Sequence, residues 1–173
     1  MRGAIFFSGK YGSTEQYAKW ISEATGLPIF DIKDTNADPS KYEFLILGSS
    51  IIYFRLTIRE WAKANLDKLE GRSKLIFSVS GAGASAKLNR WVEASLPSGL
   101  LSQMEHMPLR GKLDHTKVSR WLRIILWIGS LFNPDPQASK EERRGFDYMD
   151  KSSIEPIVKM IQRYQATQGQ LNA

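Results

Sequence analysis

Gly3-Ala-Ile-Phe-Phe-Ser8, then Gly9-Lys-Tyr-Gly12, then Ser13 through Ala24, is the stretch whose reading decides the fold. The first six residues are apolar on both faces, as in a strand buried in a parallel sheet. The last twelve carry Tyr17, Ile21 and Ala24 on one helical stripe, and Ser13 with Gln16 has the pattern of a capping box. Between them lies a short loop with two glycines. The unit is therefore strand, glycine-bearing loop, helix.

Outward from it the alternation repeats. Gly26 ends the helix, Leu27 to Ile32 forms a weaker strand, and Asp34 to Lys41 is a polar loop. Glu43-Phe-Leu-Ile-Leu-Gly48 is the clearest buried strand. A helix is expected over Thr57 to Leu69, with Ile58, Trp61, Ala62, Asn65, Leu66 and Leu69 at helical spacing. Lys74 to Ser80 is another buried strand. Ala86 to Leu96 is a helix broken by Pro97 and Gly99, and Gln103 to Leu109 is a weak last strand. Buried strands alternating with helices predict an α/β three-layer sandwich with five parallel strands in the order 2-1-3-4-5. Ligands of such sheets bind at the carboxyl ends of the strands, where the strand order reverses.

The 173 residues suit one domain, 1–173, and 42% hydrophobic residues supply a real core. With no cysteine, thiol catalysis, disulfides and cysteine-held metal or iron–sulfur centres are excluded. Two histidines, His106 and His115, are too few for a histidine metal centre, so no metal is expected. No secretory signal follows Met1, which points to the cytoplasm. The net charge of +6 calls for an anionic partner or ligand.

Strand 5 ends near Arg110, yet the closing helix, Ile154 to Tyr164, starts more than 40 residues later. Connections of this kind ordinarily take about 2–6 residues. The stretch of about 111–150 is therefore an insertion. Within it, Lys117 to Phe132 is apolar around most of a helix, with Lys117, Arg120 and Arg123 along one side. Such a helix must be buried on its own domain, dimerised with a second copy, or lodged at a membrane interface as a substrate-gathering lid. Its longest apolar run, Leu122 to Phe132, falls short of the about 20 residues that span a bilayer. The basic residues are not spread over a polar face, so nucleic acid is not expected. Lys140 to Arg144 is mixed in sign and reads as a solvated turn.

Three loops carry the chemistry. Ser8-Gly-Lys-Tyr-Gly-Ser-Thr14 leads into a helix N-terminus, where free N–H groups and the helix dipole favour a phosphate. It lacks the Lys-Ser/Thr ending of a Walker A loop and the spacing of GxGxxG; the alternative is a plain capped turn. Gly48-Ser-Ser-Ile-Ile-Tyr-Phe54 follows the third strand, and its Ile51 to Phe54 read either as core or as the wall of a planar ligand. Ser80-Gly-Ala-Gly-Ala-Ser85 follows the fourth and is small enough for its backbone to approach a ring. No aromatic stands in this third loop.

The spacing Ser8-x-x-x-Gly12-x-Thr14, with the other two loops, resembles the flavodoxin-domain family. Tyr42-Glu43 through Gly48-Ser-Ser-Ile51, the helix near Trp61, the Phe77-Ser-Val79 strand and the Trp- and Arg-rich insertion resemble its flavodoxin-like quinone-dependent protoporphyrinogen oxidases. The resemblance implies one FMN. Ser8, Lys10, Tyr11, Gly12, Ser13 and Thr14 would hold its phosphate; Ser49, Ser50, Ile51, Ile52, Tyr53, Phe54, Ser80, Gly81, Ala82 and Gly83 would line its ring. It also implies an oxidoreductase passing electrons between an apolar reductant, protoporphyrinogen among the candidates, and a quinone, with peripheral contact to the inner membrane face. No catalytic acid or base is singled out. The alternatives are a flavodoxin-type carrier that docks on a redox partner protein, and a flavin-dependent sensor. Simple flavin carriers are ordinarily acidic, so the charge here favours the enzyme.

Overall fold

The computed structural model describes residues 2–113 and 146–166. Its centre is a parallel sheet: β1 (Gly3–Ser8), β2 (Ile29–Asp31), β3 (Phe44–Ile52), β5 (Ser73–Ser80) and β6 (Glu105–Arg110), in the order β2-β1-β3-β5-β6. A further short strand, β4 (Arg55–Leu56), folds back antiparallel on the end of β3. Counting only the parallel strands, the order is the expected 2-1-3-4-5. This is the flavodoxin-like fold. Every residue of β1 is buried, which is why it reads as an unbroken apolar run. Pro108 sits in β6, which among the described residues is an edge strand paired with β5, where a missing N–H is tolerated.

Successive side chains of each strand enter opposite layers. Ile5, Phe7, Ile46 and Phe77 face α1 (Ser13–Thr25) and the closing helix α6 (Glu155–Ala166), packing on Tyr17, Ile21, Ile157 and Ile161. Ala4, Phe6, Leu47 and Ile76 face the other layer: α2 (Arg59–Ala64), α3 (Leu66–Leu69), α4 (Ala86–Glu93) and α5 (Ser98–Leu101). In that second layer Phe6 stacks between Phe30 and Trp61, at 5.3 and 5.4 Å between ring centres.

Several boundaries differ from expectation. The single helix expected over Thr57 to Leu69 is two, interrupted at Asn65, whose Nδ2 donates to the Trp61 carbonyl at 3.0 Å. Asparagine competes for backbone groups in this way and opens a helix. The helix expected over Ala86 to Leu96 stops at Glu93. The Ser13–Gln16 capping box does not form: Gly12 is the N-cap and Ser13 is turned to another partner.

At the end of β6 the chain enters β7 (Lys112–Leu113), which pairs antiparallel with β8 (Phe146–Asp147) as a two-stranded ribbon. The apolar helix expected over Lys117 to Phe132, with Arg120 and Arg123, and the turn at Lys140 to Arg144 lie outside the described residues. Among the described residues, no helix is long and apolar enough to cross a membrane.

Candidate functional site

Because β1, β3 and β5 are parallel and in register, the loops at their carboxyl ends open on one edge of the sheet. Ser8 is opposite Ser49, and Ser50 is opposite Val79. The first loop ends at Gly12, with φ 88°, in the left-handed region. A side chain there meets no atom within 4 Å but bears the backbone strain. This turn starts α1 with no side-chain cap, so the first N–H groups of a 13-residue helix have no intrahelical acceptor and are free for an anion.

The second loop is not an irregular loop. β3 runs on past Gly48 to Ile52, turns at Tyr53 and Phe54, and returns as β4, pairing Ile52 with Arg55. Both turn residues have positive φ, 50° and 64°. Asparagine and glycine ordinarily occupy such turns; an L side chain there costs about 1–2 kcal/mol. Both rings are exposed, Tyr53 by 52% and Phe54 by 63%, although Phe54 leans on Trp91 at 4.9 Å. The base of this hairpin is bound by hydroxyls. Thr57 Oγ1 donates to the Ser8 carbonyl at 2.8 Å, the Ser49 and Thr57 hydroxyls meet at 3.2 Å, and Ser49 Oγ accepts from the Ile58 N–H. Thr14 Oγ1 and Ser50 Oγ are 2.7 Å apart, which ties the first loop to the second.

The remaining expected residues divide between open and engaged groups. Lys10 and Ala82 are exposed, and Ser80 Oγ donates to the Ala82 carbonyl at 3.0 Å. Ser13 is engaged: its Oγ accepts from the Lys112 N–H at 3.1 Å. Tyr11 Oη is buried with no hydrogen-bond partner among the described residues. An orphaned hydroxyl of this kind costs about 1–3 kcal/mol unless something completes it.

Sequence reasoning missed the residues that back the third loop. Phe146 lies so close to Gly81 that a Cβ there would overlap its ring. Arg110 Nη2 donates to the Gly81 carbonyl at 3.3 Å, and its guanidinium lies 3.4 Å from the centre of the Tyr148 ring. Phe146 and Tyr148 stack at 5.1 Å, and Lys112 pairs with Asp147 at 3.0 Å. That lysine, with the Met149 N–H, holds the Asp147 carboxyl below the usual carboxylate range. The Tyr17 hydroxyl donates to the Arg110 carbonyl at 2.8 Å and accepts from the Asp150 N–H at 3.2 Å. The β7–β8 ribbon thus touches the first loop through Ser13 and the third through Gly81. The aromatics absent from the third loop itself stand behind it. The only sequence signal for them is an aromatic pair, Phe146 and Tyr148, near the end of the insertion.

An uncapped helix N-terminus, a strained aromatic turn and a small-residue loop share one edge of the sheet. The residues present fit a flavin nucleotide.

The family model described as a flavodoxin domain matches residues 4–133. No curated protein gives a match. Among solved structures, the chain is similar to the Trp repressor binding protein from Bacillus subtilis, with 14% identity and a TM-score of 0.47 over 86% of this chain and 99% of that one. It is also similar to a flavodoxin from the domain Archaea, with 11% identity and a TM-score of 0.44 over 94% of this chain and 99% of that one.

Proposed function

The chain belongs to the flavodoxin domain family, which implies a flavin cofactor, and on that premise we propose that it holds one FMN and passes electrons between an apolar reductant and a quinone. The observation that carries this reading is the uncapped N-terminus of α1 at Gly12, facing the same sheet edge as the Tyr53–Phe54 turn and the Gly81–Gly83 loop. The N–H groups of the first turn of α1 hold the phosphate, with Ser8, Thr14 and Lys10 beside them. The Ile51 to Phe54 turn and the Ser80 to Gly83 backbone line the ring. Tyr53 and Phe54 offer aromatic faces, and the contacts of Arg110 and of Phe146 with Gly81 keep the third loop in place. The bound flavin supplies the redox chemistry; the protein orients it, shapes access to it and tunes its surroundings.

An apolar reductant of the protoporphyrinogen kind, a quinone acceptor and a membrane surface met by Lys117 to Phe132 complete this reading, and each rests on the sequence resemblance. The test has two stages. The full-length protein is titrated with FMN and with riboflavin, and the same is done for Thr14→Ala and Gly12→Val. Loss of FMN affinity that exceeds the loss for riboflavin, by about 1.5–3 kcal/mol for one charge-assisted hydrogen bond, is expected. No binding at micromolar FMN would sink the reading. Reduced protein is then mixed with menadione. Rapid reoxidation supports the enzyme, whereas reoxidation only by a protein acceptor makes it a carrier.

A further inference from the structure

Residues of the β3–β4 hairpin help to line a groove of about 560 Å³. Ile52, Tyr53 and Leu56 are among its lining residues. Three cations from three different elements converge on it: Lys10 from the loop after β1, Arg55 from β4 and Arg59 from the start of α2. One carboxylate answers them. Glu60 accepts from Arg59 Nε at 2.8 Å, a contact that leaves the two terminal guanidinium nitrogens of Arg59 for other acceptors. Lys10 and Arg55 make no ion pair among the described residues; Lys10 rests its ammonium 5.6 Å from the centre of the Tyr11 ring.

Two independent features coincide here. Unbalanced positive charge and apolar side chains line the same concavity, and Tyr53, which also lines it, is one of two consecutive aromatic residues held at positive φ at the hairpin tip. Strained backbone of this sort clusters at ligand sites and switch regions. A concavity of this size is within the range of small-molecule sites, about 300–1,000 Å³. A guanidinium fork matches a carboxylate or sulfonate in a way that a lysine does not.

We propose that this groove is an anion subsite beside the flavin loops: Arg55 and Arg59 hold the carboxylate-type group of a planar apolar substrate, whose body lies along Ile52 and Tyr53. The inference rests on the redox reading above, because Lys10, Ile52 and Tyr53 belong both to the groove and to the loops assigned to the flavin. The substrate is thereby selected for an anionic group as well as for an apolar body. The overall charge of +6 has a local use at this point.

The probes are anthraquinone-2,6-disulfonate, a planar dianion, and menadione, which is neutral. Calorimetric titration of the full-length protein with the disulfonate is compared with that of Arg55→Glu/Arg59→Glu and of the milder Arg55→Gln/Arg59→Gln, each also titrated with FMN. The charge-reversed protein is expected to bind the disulfonate at least tenfold more weakly, with the glutamine pair in between. FMN affinity and the KM for menadione are expected to stay within about threefold. Unchanged disulfonate binding would overturn the proposal. Parallel loss of FMN would also overturn it, by making the groove part of the flavin site. If vesicles of phosphatidylglycerol bind the native protein and not the variants while the disulfonate binds both alike, the arginines read a lipid surface and the proposal is wrong. The disulfonate titration reads the groove whether or not FMN is bound, so its result stands apart from failure of the flavin reading.

Discussion

Tyr53 and Phe54 occupy backbone geometry that asparagine or glycine would hold at less cost, which separates their local stability from any use the turn has. Relief of strain at one position is about 1–2 kcal/mol. Glycine would return about 0.5–1 kcal/mol of that through unfolded-chain entropy, so asparagine is the cleaner replacement. At Phe54 the contact with Trp91 is of similar size to the strain, about 0.5–1.5 kcal/mol, and the two offset. Tyr53→Asn is therefore expected to raise the free energy of unfolding by up to about 1–2 kcal/mol in urea melts and to weaken FMN in the same preparation. A variant that is less stable would show that the Tyr53 ring supports the fold.

A second residue-scale expectation concerns His106. Its Nε2 lies 2.8 Å from the buried hydroxyl of Ser78, and burial lowers its pKa below the ordinary 6.5. The folded chain then resists a proton that the unfolded chain accepts. Stability is fully present above pH 6.5, falls as the unfolded state protonates below it, and levels off once pH has passed the folded pKa. Melts of the native protein and of His106→Gln from pH 8 to pH 5 are expected to show a loss in the native protein that the variant lacks. Parallel curves would remove His106 from the account.

At the scale of elements, the β7–β8 ribbon decides how the third loop is held. Gly81 is small because Phe146 occupies the space its side chain would need. Overpacking of this kind costs about 1–3 kcal/mol. Gly81→Ala is expected to lose that much in urea unfolding, and Phe146→Ala in the same chain to recover part of it. The double-mutant cycle should give a coupling of about 0.5–3 kcal/mol, as for residues in direct contact. Additive losses would mean that the two do not press on each other. Lys112–Asp147, by contrast, is half-exposed on both sides and screened by solvent; added salt should change little. The ribbon is held mainly by packing, by the Arg110–Tyr148 stack, by the Ser13 hydroxyl accepting from the Lys112 N–H and by the Gly111 carbonyl accepting from the Tyr148 N–H.

For the whole molecule, the three loops come from three strands of one sheet, so a ligand that joins them stabilises the sheet and not one segment. Saturation at a hundred times Kd adds about 2.7 kcal/mol to the folded state. At about 2–4 °C per kcal/mol for a chain of this size, FMN is expected to raise Tm by about 5–10 °C. Riboflavin at the same concentration should raise it less, because the helix N-terminus at Gly12 then has no phosphate to hold. Thermal melts with each ligand check this, and equal shifts would remove the phosphate from the account.

The order of strands and helices was determined by the chain itself. β1, β3 and β5 are buried on both faces and therefore read as apolar runs; Gly12 and the small residues from Gly81 to Gly83 mark where the backbone must bend or approach closely. Those local patterns locate the three loops. They do not reach the contacts that join the loops. Ser13 looks like a helix cap and instead bonds Lys112, 99 residues away. Asn65 looks like part of a helical stripe and instead breaks it. The β3–β4 hairpin defies its own turn chemistry, since Tyr53 and Phe54 carry no local signal for positive φ. Arg110 meets the third loop from the end of β6, 29 residues away, and Phe146 from β8, across the far side of the insertion. Periodicity and turn preference act over a few neighbouring residues, whereas these pairings arise when strands in register and packed layers bring distant segments within bonding distance, and only the tertiary structure decides them.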